Sequence, residues 1–61
     1  MEYTLSNGEE GDEVVDKKSG ERFIIRTLNV NGWGGVLLEN LQTKKTIVEN
    51  LFTTRYLPVV K

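Results

Sequence analysis

The stretch Arg22-Phe23-Ile24-Ile25-Arg26-Thr27-Leu28-Asn29-Val30 reads RFIIRTLNV. Turn-forming pairs bound it on both sides, Ser19-Gly20 before and Asn31-Gly32 after. β-Branched and long apolar residues between such marks predict one long strand. Side chains alternate across a strand, so Phe23, Ile25 and Thr27 share one face while Ile24, Arg26 and Leu28 share the other. Phe23 and Ile25 are assigned to the core, and Arg26 to solvent. Leu28 returns to the core after a bend or bulge, a feature that a small curved barrel needs.

Working outward, a first strand is predicted over residues 12–17, with Val14 and Val15 as its apolar pair. The turn Lys18-Ser19-Gly20-Glu21 links it to the long strand, and Gly20 is free to take positive φ. A third strand over 35–40 points Val36 and Leu38 inward, and Leu41-Gln42-Thr43-Lys44 turns into a fourth over 45–49. There, Ile47 and Val48 compete for the core position. Asn50-Leu51-Phe52-Thr53-Thr54-Arg55 breaks the alternation and fits one 3₁₀ turn, a common connector; Phe52 is expected inside, beside Phe23. Tyr56-Leu57-Pro58-Val59-Val60 closes the chain as a last strand, and its proline keeps that strand brief and peripheral. Residues 1–10 are expected to form a flexible acidic arm or, through Tyr3-Thr4-Leu5, an extra edge strand. Residues 11–61 form a single domain. No stretch shows a capped 3.6-residue period; Ser6-x-x-Glu9 matches a capping box, but no apolar helical face follows it.

Composition narrows the chemistry. The chain has 61 residues, no cysteine and no histidine. A domain of this size buries only about 60% of the surface that its unfolded chain exposes. Disulfide staples, the common zinc sites, histidine acid–base catalysis and the serine–histidine–aspartate triad are excluded. The remaining carboxylates, lysines, hydroxyls and tyrosines usually need a deep pocket to shift their pKa values, and so small a core has little room for one. The chain is therefore expected to be no enzyme, with no cofactor and no metal. The N-terminal residues carry no basic region followed by an apolar run, and no apolar run is longer than that of Val36-Leu37-Leu38. We expect a cytoplasmic protein with no membrane association.

Net charge is −1, unevenly spread. Residues 1–21 carry seven acids and two bases, and residues 22–61 carry six bases and two acids. The asymmetry fits an acidic arm beside a basic body, or acids and bases that neutralise each other across neighbouring strands. The acidic run Glu9-Glu10-Gly11-Asp12-Glu13 lacks the spacing of a calcium loop and reads as a solvated lead-in.

The segment from Gly11 to Phe23, GDEVVDKKSGERF, resembles the Gly-Asp-x-Val opening and Ser-Gly hairpin of small barrel proteins in Gram-positive bacteria and their phages. Val48-Glu49-Asn50-Leu51 followed by Tyr56-Leu57-Pro58-Val59 is similar to the turn and closing strand of the same architecture. The resemblance covers residues 11–60. It implies an all-β, SH3-like small barrel of about five antiparallel strands with a short 3₁₀ turn before the last. That architecture hosts peptide binders and nucleic-acid-binding modules alike. Proline-peptide binders line their groove with several aromatics; Tyr3, Phe23, Trp33, Phe52 and Tyr56 are too few for that mode.

Two stretches are candidates for a site. Asn29-Val30-Asn31-Gly32-Trp33-Gly34-Gly35-Val36 matches neither a phosphate loop nor a dinucleotide fingerprint, and Asn31-Gly32 reads as a hairpin turn. Trp33 either caps an open barrel end or stands out as a contact. The second candidate is a face of bases interleaved with aromatics: Arg22, Arg26, Trp33, Lys44, Lys45, Arg55 and Tyr56. Such a face suits single-stranded nucleic acid through stacking and phosphate contacts, although the sequence pI of about 5.3 is low for that role. The leading expectation is a small non-enzymatic module that contacts another protein; the alternatives are a weak nucleic-acid-binding accessory factor and an edge-paired homodimer. The bases clustering beside exposed Trp33 or Tyr56 would favour nucleic acid. An exposed apolar patch that includes Leu37, Ile47 or Leu57 would favour protein association.

Overall fold

The computed structural model describes residues 2–29, 32 and 34–59. The long strand is present as β2 (Arg22–Leu28), with β1 (Glu13–Asp16) before it and β3 (Gly35–Asn40), β4 (Thr46–Asn50) and β5 (Tyr56–Pro58) after it. They form one antiparallel sheet in the order β4-β3-β2-β1-β5. No ladder joins β4 to β5 among the described residues, so the sheet is open along that seam.

The bulge falls where β2 needs it. Ile25 pairs with Leu38, and the next paired residue is Thr27, opposite Leu37, which leaves Arg26 bulged out. One extra residue reverses the phase of alternation. Phe23 and Ile25 lie inward before the bulge, and Leu28 packs against the core after it. The core is completed by Leu5, Val14, Val36, Leu38 and Tyr56. Phe23 and Tyr56 meet edge to face, with ring centroids 5.7 Å apart and planes at 89°.

One turn design recurs. Asp16 Oδ1 accepts the N–H groups of Lys18 and Ser19, and Ser19 Oγ accepts that of Glu21. Asn40 Oδ1 accepts the N–H groups of Gln42 and Thr43, and Thr43 Oγ1 accepts that of Lys45. In both hairpins the residue after the hydroxyl is left-handed, Gly20 at φ 76° and Lys44 at φ 64°. A third version follows β4: Asn50 Oδ1 accepts from Phe52 N–H, Asn50 C=O from Thr53 N–H, and Thr53 Oγ1 from Arg55 N–H. This side-chain-organised turn replaces the 3₁₀ turn expected before the last strand. Asparagine and aspartate form it because the short side chain mimics a backbone acceptor.

The 3₁₀ turn lies instead at Leu5–Asn7. Here, the structure differs from the expected arm or edge strand. Leu5 is fully buried, and Ser6 N–H donates to Leu51 C=O at 2.9 Å. Beyond the turn, Gly11 N–H donates to Ile25 C=O and Ile25 N–H to Asp12 C=O. The acidic lead-in therefore lies along the bulged part of β2, where Glu10 Oε2 accepts Leu28 N–H.

Three further expectations are corrected. Ile47 and Val48 do not compete for a core position: both are exposed on an edge strand of the sheet. Phe52 is 69% exposed in its turn. Tyr56 is 1% exposed and belongs to the core. No helix among the described residues is long and apolar enough to cross a membrane.

Candidate functional site

A cleft of about 350 Å³ opens where the seam between β4 and β5 meets the two hairpin turns. Its floor is Phe23 and Tyr56, and Ile47 forms an apolar wall. Asp16, Glu21, Glu49, Lys45 and Arg55 supply charge around it. The turns place several of these groups. Asp16 and Asn40 each spend one oxygen on turn N–H groups and aim the other polar atom into the cleft. Asp16 Oδ2 meets Arg55 Nη2 at 3.0 Å, and Asn40 Nδ2 donates to Glu21 Oε2 at 2.8 Å.

Side chains, not backbone, tie the seam. The Tyr56 hydroxyl donates to Glu49 Oε2 at 2.7 Å and so links β5 to β4. Arg55 spans Asp16 and Glu49, the latter at 3.9 Å, and its guanidinium carbon stands 6.0 Å from the Tyr56 ring centroid. Burial pushes the Tyr56 hydroxyl well above its ordinary range, and the Glu49 carboxylate pushes it further. Burial would raise the Asp16 carboxyl, but the Lys18 and Ser19 N–H groups and the Arg55 guanidinium outweigh it and hold Asp16 below the usual range. The three carboxylates already accept hydrogen bonds, from Arg55, Asn40 and Tyr56.

The structure separates the predicted basic and aromatic face. Arg22 pairs with Glu13 across β1 and β2, and Arg26 with Glu39 across β2 and β3 at 2.7 Å. That bond from Arg26 lowers the Glu39 pKa. Arg55 is engaged by Asp16 and Glu49, and Tyr56 is buried. Lys44 and Lys45 are exposed and make no ion pair among the described residues. Trp33 lies outside the described residues, as does Asn31 of the predicted hairpin turn. Only Lys45, Arg55 and Tyr56 of the set meet at the cleft. Of the seven acids in residues 1–21, Glu13 and Asp16 pair with bases from residues 22–61 among the described residues.

Sequence reasoning missed Asp16, Glu21, Asn40 and Glu49 as cleft residues. A signal for two of them was present: Asp16-x-x-Ser19, Asn40-x-x-Thr43 and Asn50-x-x-Thr53 share one spacing. The exposed large apolar side chains are Ile47 at 37% and Val48 at 58%, on opposite faces of β4, Phe52 at 69% in the turn after it and Leu57 at 44% on β5.

No protein-family model matches the chain, and neither a curated protein nor a solved structure matches it.

Proposed function

We propose that the chain is a non-enzymatic binding module of SH3-like small-barrel architecture, and that it contacts another protein through the cleft and its β4 wall. The observation that carries this reading is the exposed apolar side chain of Ile47 lining a cleft floored by two aromatics. Apolar surface exposed beside polar groups is the usual mark of a protein contact. The nucleic-acid reading has less behind it, because its three arginines are paired with acids and Tyr56 offers no exposed ring. A cytoplasmic setting, as in the small barrel proteins that residues 11–23 resemble, accords with the absence of cysteine.

The test is an affinity capture from source cells with mass spectrometry, run with and without nuclease, using the natural chain and Ile47→Asp in parallel. A partner that survives nuclease and is lost with Ile47→Asp, while that variant keeps its circular dichroism, supports the reading. A partner lost on nuclease treatment transfers the function to nucleic acid. A partner retained by Ile47→Asp removes the β4 wall from the contact.

A further inference from the structure

The two edges of the sheet are not equivalent. Asn40 N–H to Lys45 C=O and Leu51 N–H to Gly34 C=O bracket the β3–β4 ladder. Hydrogen-bonded pairs alternate along an antiparallel ladder, so Ile47 and Glu49 turn their backbone groups toward β3. Thr46 and Val48 turn theirs outward. On β5, the bonds from Lys17 N–H to Arg55 C=O and from Val59 N–H to Glu13 C=O leave Tyr56 and Pro58 outward. Pro58 has no N–H to offer, which blunts that edge. Among the described residues, no proline, bulge or covering segment protects Thr46–Val48 on the other edge, and all three residues are exposed. Such an edge is a template for another strand.

We propose that a second copy of the chain fills this template by antiparallel pairing of β4 with β4, with Ile47 of each copy facing the other across the two-fold axis. Charge fixes the occupant and the register. Lys45-Thr46-Ile47-Val48-Glu49 carries a base and an acid equally spaced about Ile47. Centred there, antiparallel pairing sets Lys45 opposite Glu49 of the second copy at both ends. Thr46 and Val48 then exchange N–H···O=C bonds with Val48 and Thr46 of the second copy. Shifting the centre to Val48 would set Ile47 against Glu49 instead, which forfeits both charge pairs. Within one copy, Lys45 has no ion-pair partner among the described residues, and Glu49 spends Oε2 on Tyr56 and Arg55. A five-residue strand buries little area, so the dimer belongs to the weak, concentration-dependent class.

Purified protein alone tests this, independently of any cellular partner. Sedimentation equilibrium is expected to show a monomer–dimer equilibrium in the micromolar-to-millimolar range. Val48→Pro deletes an outward N–H and no ladder bond, so it is expected to fold and to remain monomeric. Lys45→Glu sets like charges opposite at both ends and is expected to weaken pairing by about tenfold or more. Mixing Lys45→Glu with Glu49→Lys restores opposite charges at both ends, and a heterodimer is expected where each variant alone is monomeric. Thermal melts report separately whether each variant folds. A natural chain that stays monomeric to about 1 mM, or a dimer that persists in folded Val48→Pro, would overturn the proposal. Mixing without recovery, with both variants folded, overturns the register.

Discussion

At the scale of the residue, local side-chain-to-backbone bonds shape the chain. Two hairpins use one turn, yet one has Gly20 at the left-handed position and the other has Lys44. A left-handed L-residue costs roughly 1–2 kcal/mol, which glycine avoids at some cost in unfolded-state entropy. Lys44→Gly is therefore expected to stabilise the fold by about 0.5–1 kcal/mol, read as a raised midpoint in urea. Gly8 is the opposite case. A Cβ there would stand 2.6 Å from the Tyr3 hydroxyl oxygen and 2.9 Å from Ile25 Cδ1. Gly8→Ala is expected to cost about 1–3 kcal/mol through overpacking; a melt unchanged from the natural chain would refute the close approach. Neither environment was legible in the sequence, where Gly8 sits after an asparagine like any turn glycine.

At the scale of the element, alternation was a good guide where a strand is covered on its inward side and a poor one at the edges. Phe23, Ile25, Val36 and Leu38 were legible because their period of two matches a buried face. The return of Leu28 followed from the same pattern once a bulge was allowed. β4 was not legible in this way: Ile47 and Val48 look like core residues, and only the strand order shows that they lie on an edge strand. Tyr56 was misread because burial at the last strand depends on its register with β1, which sets Tyr56 opposite Asp16. Phe52 was expected inside, but the 3₁₀ turn at Leu5–Asn7 packs beside Leu51 and brings Leu5 into the core. Leu5→Ala is therefore expected to destabilise the whole fold by about 2–5 kcal/mol. A dispensable arm would show almost no change in denaturant midpoint.

At the scale of the whole molecule, the open seam joins stability to the site. Asp16, Arg55, Tyr56 and Glu49 hold β1, β4 and β5 together across it. Because the Asp16 pKa is lowered in the fold, its contribution is fully present above the unfolded carboxyl value of about 3.9 and is lost as pH falls through the lower folded value. Arg55→Met is expected to lower stability at neutral pH and to make the acid limb of a melting series shallower. Equal slopes in the two proteins would remove Arg55 from the account. Tyr56 acts at the other end of the scale: its raised pKa means that stability falls as pH climbs above about 10, where the unfolded phenol ionises first.

The proposed contact surface is the β4 side and not the dispersed basic set. Site-resolved amide hydrogen exchange, compared between dilute and concentrated protein, tests it most directly. Concentration-dependent protection that alternates along β4 is expected. The outward amides of Thr46 and Val48 should gain it, while those of Ile47 and Glu49, already bonded to β3, should not change. Uniform exchange at every concentration, or protection centred on Arg22 and Arg26, would contradict it.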